Sequence, residues 1–323
     1  MGILANIRAI VTTMGLAVLA LTAHAQSWPS RPIKMIVPSQ AGGILDRVHR
    51  AIAAQMSESL GQPIIVDNRP GAGGMIGTGA VAKAEPDGYT IGVIATGHSI
   101  HPAIIAKMPY HPTKDFSMVS HTLNLTAILV AQPSFAANNI KELIELAKAK
   151  PGSVTYGSAG VGQSNHLSGV MFGQLAGIDL VHVPYQGNAP ALTGLLGGSI
   201  SMVFLDMPSA KPQIAAGKLK ALAVTGQRRS QAAPEVPLVR ETIPGFDGNS
   251  WQGIVAPAGT PPEIVQRLSA EVAKAVQFKN LRDQYLPNGV EFVGSTPEQF
   301  TALVKAEIER WKTVANAAGI KAE

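Results

Sequence analysis

Short apolar runs that end in glycine-containing turns, each followed by a helical segment, constrain the fold of this chain most strongly. Residues 33–38 form such a run and precede a helical pattern over residues 45–60. The order recurs at residues 63–67, before a turn and a helix at 75–84, and residues 89–95 predict a third strand. Strands that alternate with helices at this spacing predict an α/β fold with a parallel sheet covered on both faces.

The alternation restarts after residue 132, which divides the chain into two α/β units. The second unit carries predicted strands at 154–156, 180–184, 200–205 and 219–224, with helices at 140–150, 165–176 and 190–196. We interpret two extended apolar stretches, 117–132 and 251–256, as crossings between the units. The first domain is therefore expected at 26–128 and 250–323, with the second inserted at 129–249 and the crossing strands acting as a hinge.

Three further segments complete this outline. Residues 227–249 are rich in Pro, Gly and charge, which predicts a surface excursion. Amphipathic helices are predicted at 262–278 and 297–318, both packing on the first unit. Thr296 and Gln299 have the spacing of a capping box at the start of the last helix.

The N-terminus has the pattern of an export signal, with Arg8, an apolar stretch at 9–22 and the cleavage site Ala23-His24-Ala25. This predicts a signal peptide at 1–25 and a periplasmic mature protein. The apolar stretch is shorter than the roughly 20 residues that a membrane span needs. The chain has no cysteine, which excludes disulfides and thiolate chemistry. Its net charge of +5 comes from dispersed residues, and its 5% aromatic content argues against a nucleic-acid surface.

The turns after the strands are where an open parallel sheet binds its ligand. Ser39-Gln40-Ala41-Gly42-Gly43 precedes a helix and offers backbone N–H groups to an anion. An equally good interpretation is that the glycines serve only the turn geometry. The run 71–77 resembles a dinucleotide fingerprint, but its third glycine is one place late. We therefore interpret 71–77 as structural and expect no cofactor.

The turn at 157–166 combines backbone donors with short polar side chains and is the strongest ligand candidate. A serine hydrolase using Ser164 and His166 is disfavoured, because His166 replaces the last glycine of a nucleophile elbow. His166 can equally orient the turn. Tyr185 and Asp206 end later strands; core packing and helix capping are their alternative roles.

Eight histidines raise the question of a metal site. His98, His101, His111 and His121 cluster in sequence, but no ligand motif accompanies them. We interpret their Pro-containing stretch as a surface loop and expect no metal and no enzymatic activity.

Several ordered motifs resemble the receptor family of tripartite tricarboxylate transporters, also called Bug receptors, over essentially the whole mature chain. The matching segments are 28–33, 36–38 with 41–43 and Asp46, 68–74, 86–90, 157–160, 166–167, 183–185 with Gly187, 222–225 and 257–261.

This resemblance implies a type II, Venus-flytrap binding protein of the periplasm that captures a small carboxylate and delivers it to integral membrane transporter subunits. It implies binding through the loops 39–46 and 158–166, largely by backbone N–H groups and water. A monomer is expected. A sensor that docks to a membrane kinase is an alternative that the sequence leaves open. Ser39-Gln40 and Gly194 depart from the family pattern, which usually has an apolar residue and Asp at these places.

The expected ligand contacts are Ser39, Gln40, Ala41, Gly42, Gly43, Asp46, Thr96, Ser158, Ala159, Gly160, Ser164, Asn165, His166, Tyr185, Gly187 and Asp206.

Overall fold

Two β-sheets form the framework of the protein. The computed structural model describes residues 28–320, so the predicted signal peptide lies outside the described residues. The strands are β1 (Ile33–Val37), β2 (Ile64–Asn68), β3 (Thr90–Ala95), β4 (Phe116–Leu125), β5 (Ala127–Ala131), β6 (Val154–Ser158), β7 (Leu180–Pro184), β8 (Met202–Asp206), β9 (Lys220–Val224), β10 (Ser250–Pro257) and β11 (Val290–Phe292).

The helices pack on the faces of the sheets. They are α1 (Ile44–Leu60), α2 (Met75–Ala82), α3 (Gly97–Ile104), α4 (Ile140–Ala149), α5 (Ser164–Ala176), α6 (Asn188–Leu196), α7 (Met207–Ala215), α8 (Val239–Thr242), α9 (Pro262–Ala275), α10 (Lys279–Tyr285) and α11 (Pro297–Ala317), with 3₁₀ turns at Ala72–Gly74 and Leu286–Asn288. Across residues 28–320, no helix combines the length and apolarity that crossing a membrane requires.

The first sheet has the order β11-β4-β10-β3-β1-β2, and the second has the order β7-β6-β8-β5-β9. Strands β1, β2 and β3 are parallel, whereas β4 and β10 pair antiparallel with each other. The strands of this antiparallel pair, β4 and β10, lie in the two stretches that were predicted as crossings. The long stretch at 117–132 is two strands, β4 and β5, which belong to different sheets and are separated by Thr126. The chain returns to the first sheet through β10.

Apolar side chains alternate along β1 and so face two different cores. Ile33, Met35 and Val37 pack beneath α1 and α9, while Ile36 packs on the opposite face with α2 and the first half of α11. Because successive strand residues point to opposite faces, this pattern shows that the sheet is covered on both sides. The prediction of an α/β fold is confirmed.

Two expectations about packing were wrong. The last helix does not pack on the first unit alone: Trp311 and Val314 enter a core built mainly by the second sheet. The segment at 227–249 is not a simple surface excursion either, since Val236 and Phe246 are buried. The Phe246 ring packs against Phe172 and Phe204, so this segment closes the core of the second unit.

The stretch interpreted as a histidine-rich surface loop also differs. Residues 97–104 are helix α3, and His98 and His101 on it are only 4% and 5% exposed. His121 is buried on β4. His111 is exposed in the following loop. Within the described part of the chain, no group of three or more His, Cys, Asp or Glu side chains could hold a metal ion.

Candidate functional site

A cleft of about 690 Å³ opens where loops of the two sheets meet. Its floor is made by the two crossings between the sheets, with Thr126 on one and Trp251 on the other. Its walls are formed by turns that follow the strand ends and by the first residues of the helices after them. This position agrees with the rule that open α/β sheets bind ligands beyond the carboxyl ends of their strands.

Half of the residues predicted from the sequence line this cleft. They are Ser39, Gln40, Thr96, Ala159, Ser164, Asn165, Gly187 and Asp206. The other half do not line it: Ala41, Gly42, Gly43, Asp46, Ser158, Gly160, His166 and Tyr185. Several of the second set instead hold the lining residues in place.

Asp46 is the main support of the first turn. The Gly42 N–H donates to its Oδ2 at 2.8 Å, and Asn68 Nδ2 and Arg50 Nε donate to its Oδ1 at 2.9 and 2.8 Å. Burial would raise the pKa of this carboxyl, but these donors outweigh it and keep the pKa below its usual range. Asn68 also donates to the Ser39 carbonyl at 3.1 Å. The Asp46 side chain therefore fixes the turn and is not free for a ligand.

The turn between β6 and α5 uses most of its own donors. The N–H groups of Ala159, Gly160 and Gly162 donate to the side chains of Asn165, Ser158 and His166, respectively. The sequence predicted these groups as ligand donors, and the structure engages them inside the turn. Free donors are instead found at the start of α5, whose first turn has no side-chain cap.

His166 and Ser158 are part of the same internal support. Ser158 Oγ lies 2.6 Å from His182 Nε2, and the His182 ring stacks on that of His166 with centroids 4.1 Å apart. Burial and the neighbouring His182 lower the pKa of His166 to about 4, so its ring is neutral near pH 7. Among the described residues, Ser164 has no hydrogen bond to an imidazole. The Ser164–His166 pair considered from the sequence is therefore not formed, and the serine that does contact an imidazole, Ser158, is fully buried.

A chain of amide and carboxylate groups joins three turns on the second wall. Asn165 Nδ2 donates to Asn188 Oδ1 at 3.0 Å, and Asn188 Nδ2 donates to Asp206 Oδ2 at 3.1 Å. The other Asp206 oxygen accepts the Ser209 N–H at 2.9 Å and caps α7. Asp206 thus both lines the cleft and caps a helix, the two roles that its sequence position allowed.

Tyr185 packs away from the cleft. Its ring lies against Gly157 and Gly194, where an added Cβ would come within 3.5 Å and 2.3 Å of the tyrosine. Thr96 lines the cleft, but its Oγ1 accepts the Trp251 N–H at 2.7 Å and so ties β3 to the return crossing.

Sequence reasoning missed part of the first wall. Gly71, Gly73 and Gly74, which were interpreted as structural, line the cleft, as do His98 and His101 of α3. These residues follow the ends of β2 and β3, so the strand-end rule pointed to them. They were set aside because the glycine register failed a nucleotide motif and because the histidines were assigned to a surface loop. Other lining residues outside the expected ligand contacts include Thr78, Tyr110, Gln163, Ser168, Gln186, Asn188, Gly248, Ser250, Trp251 and Gln252.

The cleft combines polar and apolar groups and is almost uncharged. Of the described residues that line it, none is Lys or Arg, and Asp206 alone carries a formal charge near neutral pH. The helices α1 and α5 begin at this cleft from opposite walls, and neither has a side-chain cap. Uncapped N-terminal N–H groups and the helix dipole together favour an anion. The geometry can therefore hold an anion without a cationic side chain.

The sequence matches a family profile and two full-length relatives. Residues 48–320 match the sequence profile described as tripartite tricarboxylate transporter family receptor, TctC. Protein BugT of Bordetella pertussis is 35% identical over 326 residues, covering 99% of this chain and 98% of its own. The UPF0065 protein in the tcbD-tcbE intergenic region of Pseudomonas sp. (strain P51) is 37% identical over 316 residues, covering 96% of this chain and 94% of its own.

Solved structures agree in fold. Periplasmic binding protein BugD is 34% identical with a TM-score of 0.78, covering 92% of this chain and 100% of its own. R. palustris Rpa4515 with adipate is 34% identical with a TM-score of 0.81, with the same coverage. MatC from Rhodopseudomonas palustris with bound malate is 33% identical with a TM-score of 0.76, covering 89% of this chain and 99% of its own.

Proposed function

The chain belongs to the tripartite tricarboxylate transporter receptor family, and from that premise we propose that it is a periplasmic solute-binding receptor and not an enzyme. It captures a small carboxylate in the cleft and presents it to integral membrane transporter subunits. The mature protein acts as a monomer that starts after the signal peptide at 1–25. Its two domains are residues 26–128 with 250–323, and residues 129–249.

One observation carries this proposal: two uncapped helix N-termini, from α1 and α5, open on opposite walls of a cleft without a Lys or Arg among its described lining residues. A carboxylate between them accepts hydrogen bonds from the first backbone N–H groups of these helices, which have no carbonyl acceptor within the helix. An arginine binds a carboxylate through two parallel N–H bonds in a fixed geometry, and backbone donors impose no such geometry. They therefore suit acids of different length.

The relatives support the ligand class. The structures with adipate and with malate contain dicarboxylates of different length and polarity, bound by proteins of this fold. A cleft of about 690 Å³ falls within the range of small-molecule sites and is large enough for such an acid with bridging water. Asp206 would repel a second carboxylate placed beside it, so an acid with a hydroxyl or amino group near this residue fits better than an unsubstituted one.

A ligand that binds the folded state raises its melting temperature by mass action. The test is a thermal-shift screen of residues 26–323, unfolded and refolded beforehand to remove any acid that co-purifies. The panel contains malate, succinate, adipate, citrate, aspartate and benzoate. At 100 times its Kd, a ligand stabilises by about 2.7 kcal/mol, which corresponds to a rise of roughly 4 °C for a protein of this size.

The matched control compounds are the amides of the same acids, which keep the shape and remove the negative charge. We expect the acids to raise the melting temperature and the amides to leave it unchanged. A panel in which no acid gives a shift contradicts the proposed function.

A further inference from the structure

His101 differs from the other buried histidines in its hydrogen bonding. Ring nitrogens of His49, His98, His121 and His166 each bond to a partner within the described residues. His101 is 5% exposed and lines the cleft, yet no group of residues 28–320 bonds to its ring, and its Nδ1 is fully buried. A buried polar group without a partner costs free energy, so such a group in a binding cleft calls for an explanation.

Distances from two neighbouring glycines show that the His101 ring lies where the two walls of the cleft meet. An added Cβ would lie 3.0 Å from His101 Nε2 at Gly73, and 3.5 Å from it at Gly97. The same Cβ position at Gly73 is 3.9 Å from Nε2 of Gln163, the N-cap residue of α5. The His101 ring therefore lies close to the uncapped start of α5, where an anion is favoured.

The surroundings of the two His101 ring nitrogens favour one neutral tautomer. Nδ1 is closed off from the cleft, whereas Nε2 lies beside Gly73 and Gly97, which both border on it. A buried N–H donor without an acceptor is avoided more strictly than an acceptor without a donor. The neutral tautomer with the proton on Nε2 therefore fits the site, and it directs an N–H group to the cleft side.

We propose that His101 donates its Nε2–H to a carboxylate oxygen of the bound acid and selects acids whose carboxylate reaches α3 as well as the start of α5. This inference rests on the proposed function and adds to it a side-chain contact on the first wall. A side chain at position 73 would crowd Nε2, because its Cβ alone would lie 3.0 Å away, whereas a Cβ at position 97 would make an ordinary contact at 3.5 Å.

The test compares three variants by calorimetric titration with the panel acid that gives the largest thermal shift in the wild-type protein. His101→Phe keeps a ring and removes the donor, and we expect its Kd to rise about tenfold or more. His101→Gln keeps an N–H donor, and we expect a Kd within about threefold of the wild-type value. His111→Phe makes the same change in the exposed loop after α3 and should leave the Kd unchanged.

Wild-type affinity in His101→Phe overturns the proposal while leaving the proposed function intact. If no panel acid binds the wild-type protein, the proposed function itself fails. Should His101→Phe not fold, the ¹⁵N resonances of the wild-type imidazoles decide: acid must shift the Nε2 signal that is missing in His101→Gln. An unshifted signal overturns the assignment.

Discussion

Gly194 shows how one absent side chain determines where a neighbouring ring packs. A Cβ at this position would lie 2.3 Å from Oη and 2.6 Å from Cζ of Tyr185. The family resemblance leads to the expectation of Asp at this position. With glycine at 194, the Tyr185 ring packs directly on α6.

Gly194→Ala tests this packing. Alanine normally stabilises a helix interior by about 1 kcal/mol relative to glycine. Here we expect the opposite sign, a loss of about 1–3 kcal/mol in the free energy of unfolding, because the ring must move out of its position. Urea denaturation measures the change. In a Tyr185→Ala background the same substitution should cost nothing or stabilise, and an equal loss in both backgrounds contradicts the explanation.

The last helix, α11, joins the two units and the return crossing. Its Glu307 Oε2 accepts the indole N–H of Trp251 at 3.2 Å and that of Trp311 at 3.1 Å, while Arg310 donates to the same oxygen at 2.7 Å. Arg310 also donates to the Asp247 carbonyl, just before β10. The Glu307 carboxylate of this helix therefore connects Trp251, on the return crossing, with Trp311, which packs in the core of the second unit.

Glu307→Ala removes the shared acceptor and leaves two buried indole N–H groups and a guanidinium without it. We expect the free energy of unfolding to fall by about 2–4 kcal/mol. Glu309→Ala is the matched control, since Glu309 is exposed on the same helix and pairs with Lys312 at 2.8 Å. It should change stability by less than about 1 kcal/mol. Similar losses in both variants would show that the network does not act as described.

Elements with a strong local signal could be predicted from the sequence. The helix at 45–60, the strand at 180–184 and the capping box of Thr296 and Gln299 are confirmed, because periodicity and caps act over a few residues. Helix α3 could not be predicted, since Pro102 and two histidines argue locally against a helix that tertiary packing stabilises. The packing of Trp311 in the second core has no local signal at all.

The candidate site also has a part that the sequence predicts and a part that it does not. Strand-end turns such as 39–43 and 157–162 were predictable from glycine and short polar residues. Whether a given N–H group is free depends on a side chain several residues away, as Asn165 accepting from Ala159 shows. That information lies in three-dimensional geometry, and the sequence pattern does not contain it.

On the scale of the whole molecule, buried histidines make stability depend on pH. Burial lowers the pKa of His49, His98, His101 and His166 to about 4. In the unfolded chain a histidine has a pKa of about 6.5. Below that pH the unfolded chain binds protons that the folded chain does not, so the free energy of unfolding falls as the pH decreases from about 6.5 towards 4.

His49→Gln isolates one of these groups. His49 is fully buried between the Leu45 carbonyl and the Thr122 hydroxyl, at 2.9 and 3.2 Å. We expect the slope of the free energy of unfolding against pH, measured by urea titration from pH 5 to 6.5, to decrease by up to about 1.4 kcal/mol per pH unit, the value for one proton. A uniform loss of stability leaves the slope unaffected, so parallel wild-type and variant curves contradict the linkage.

The position of β10 between β3 and β4 has a consequence for the order in which the protein can fold. As a chain grows from its N-terminus, β1 to β4 emerge long before residues 250–257 exist. The edges of β3 and β4 that β10 covers remain open until then. Open strand edges are templates for aggregation, and contacts between distant segments slow folding. The first unit to be synthesised is therefore the last to be completed, and a chain that stops before β10 is a candidate for chaperone binding or degradation.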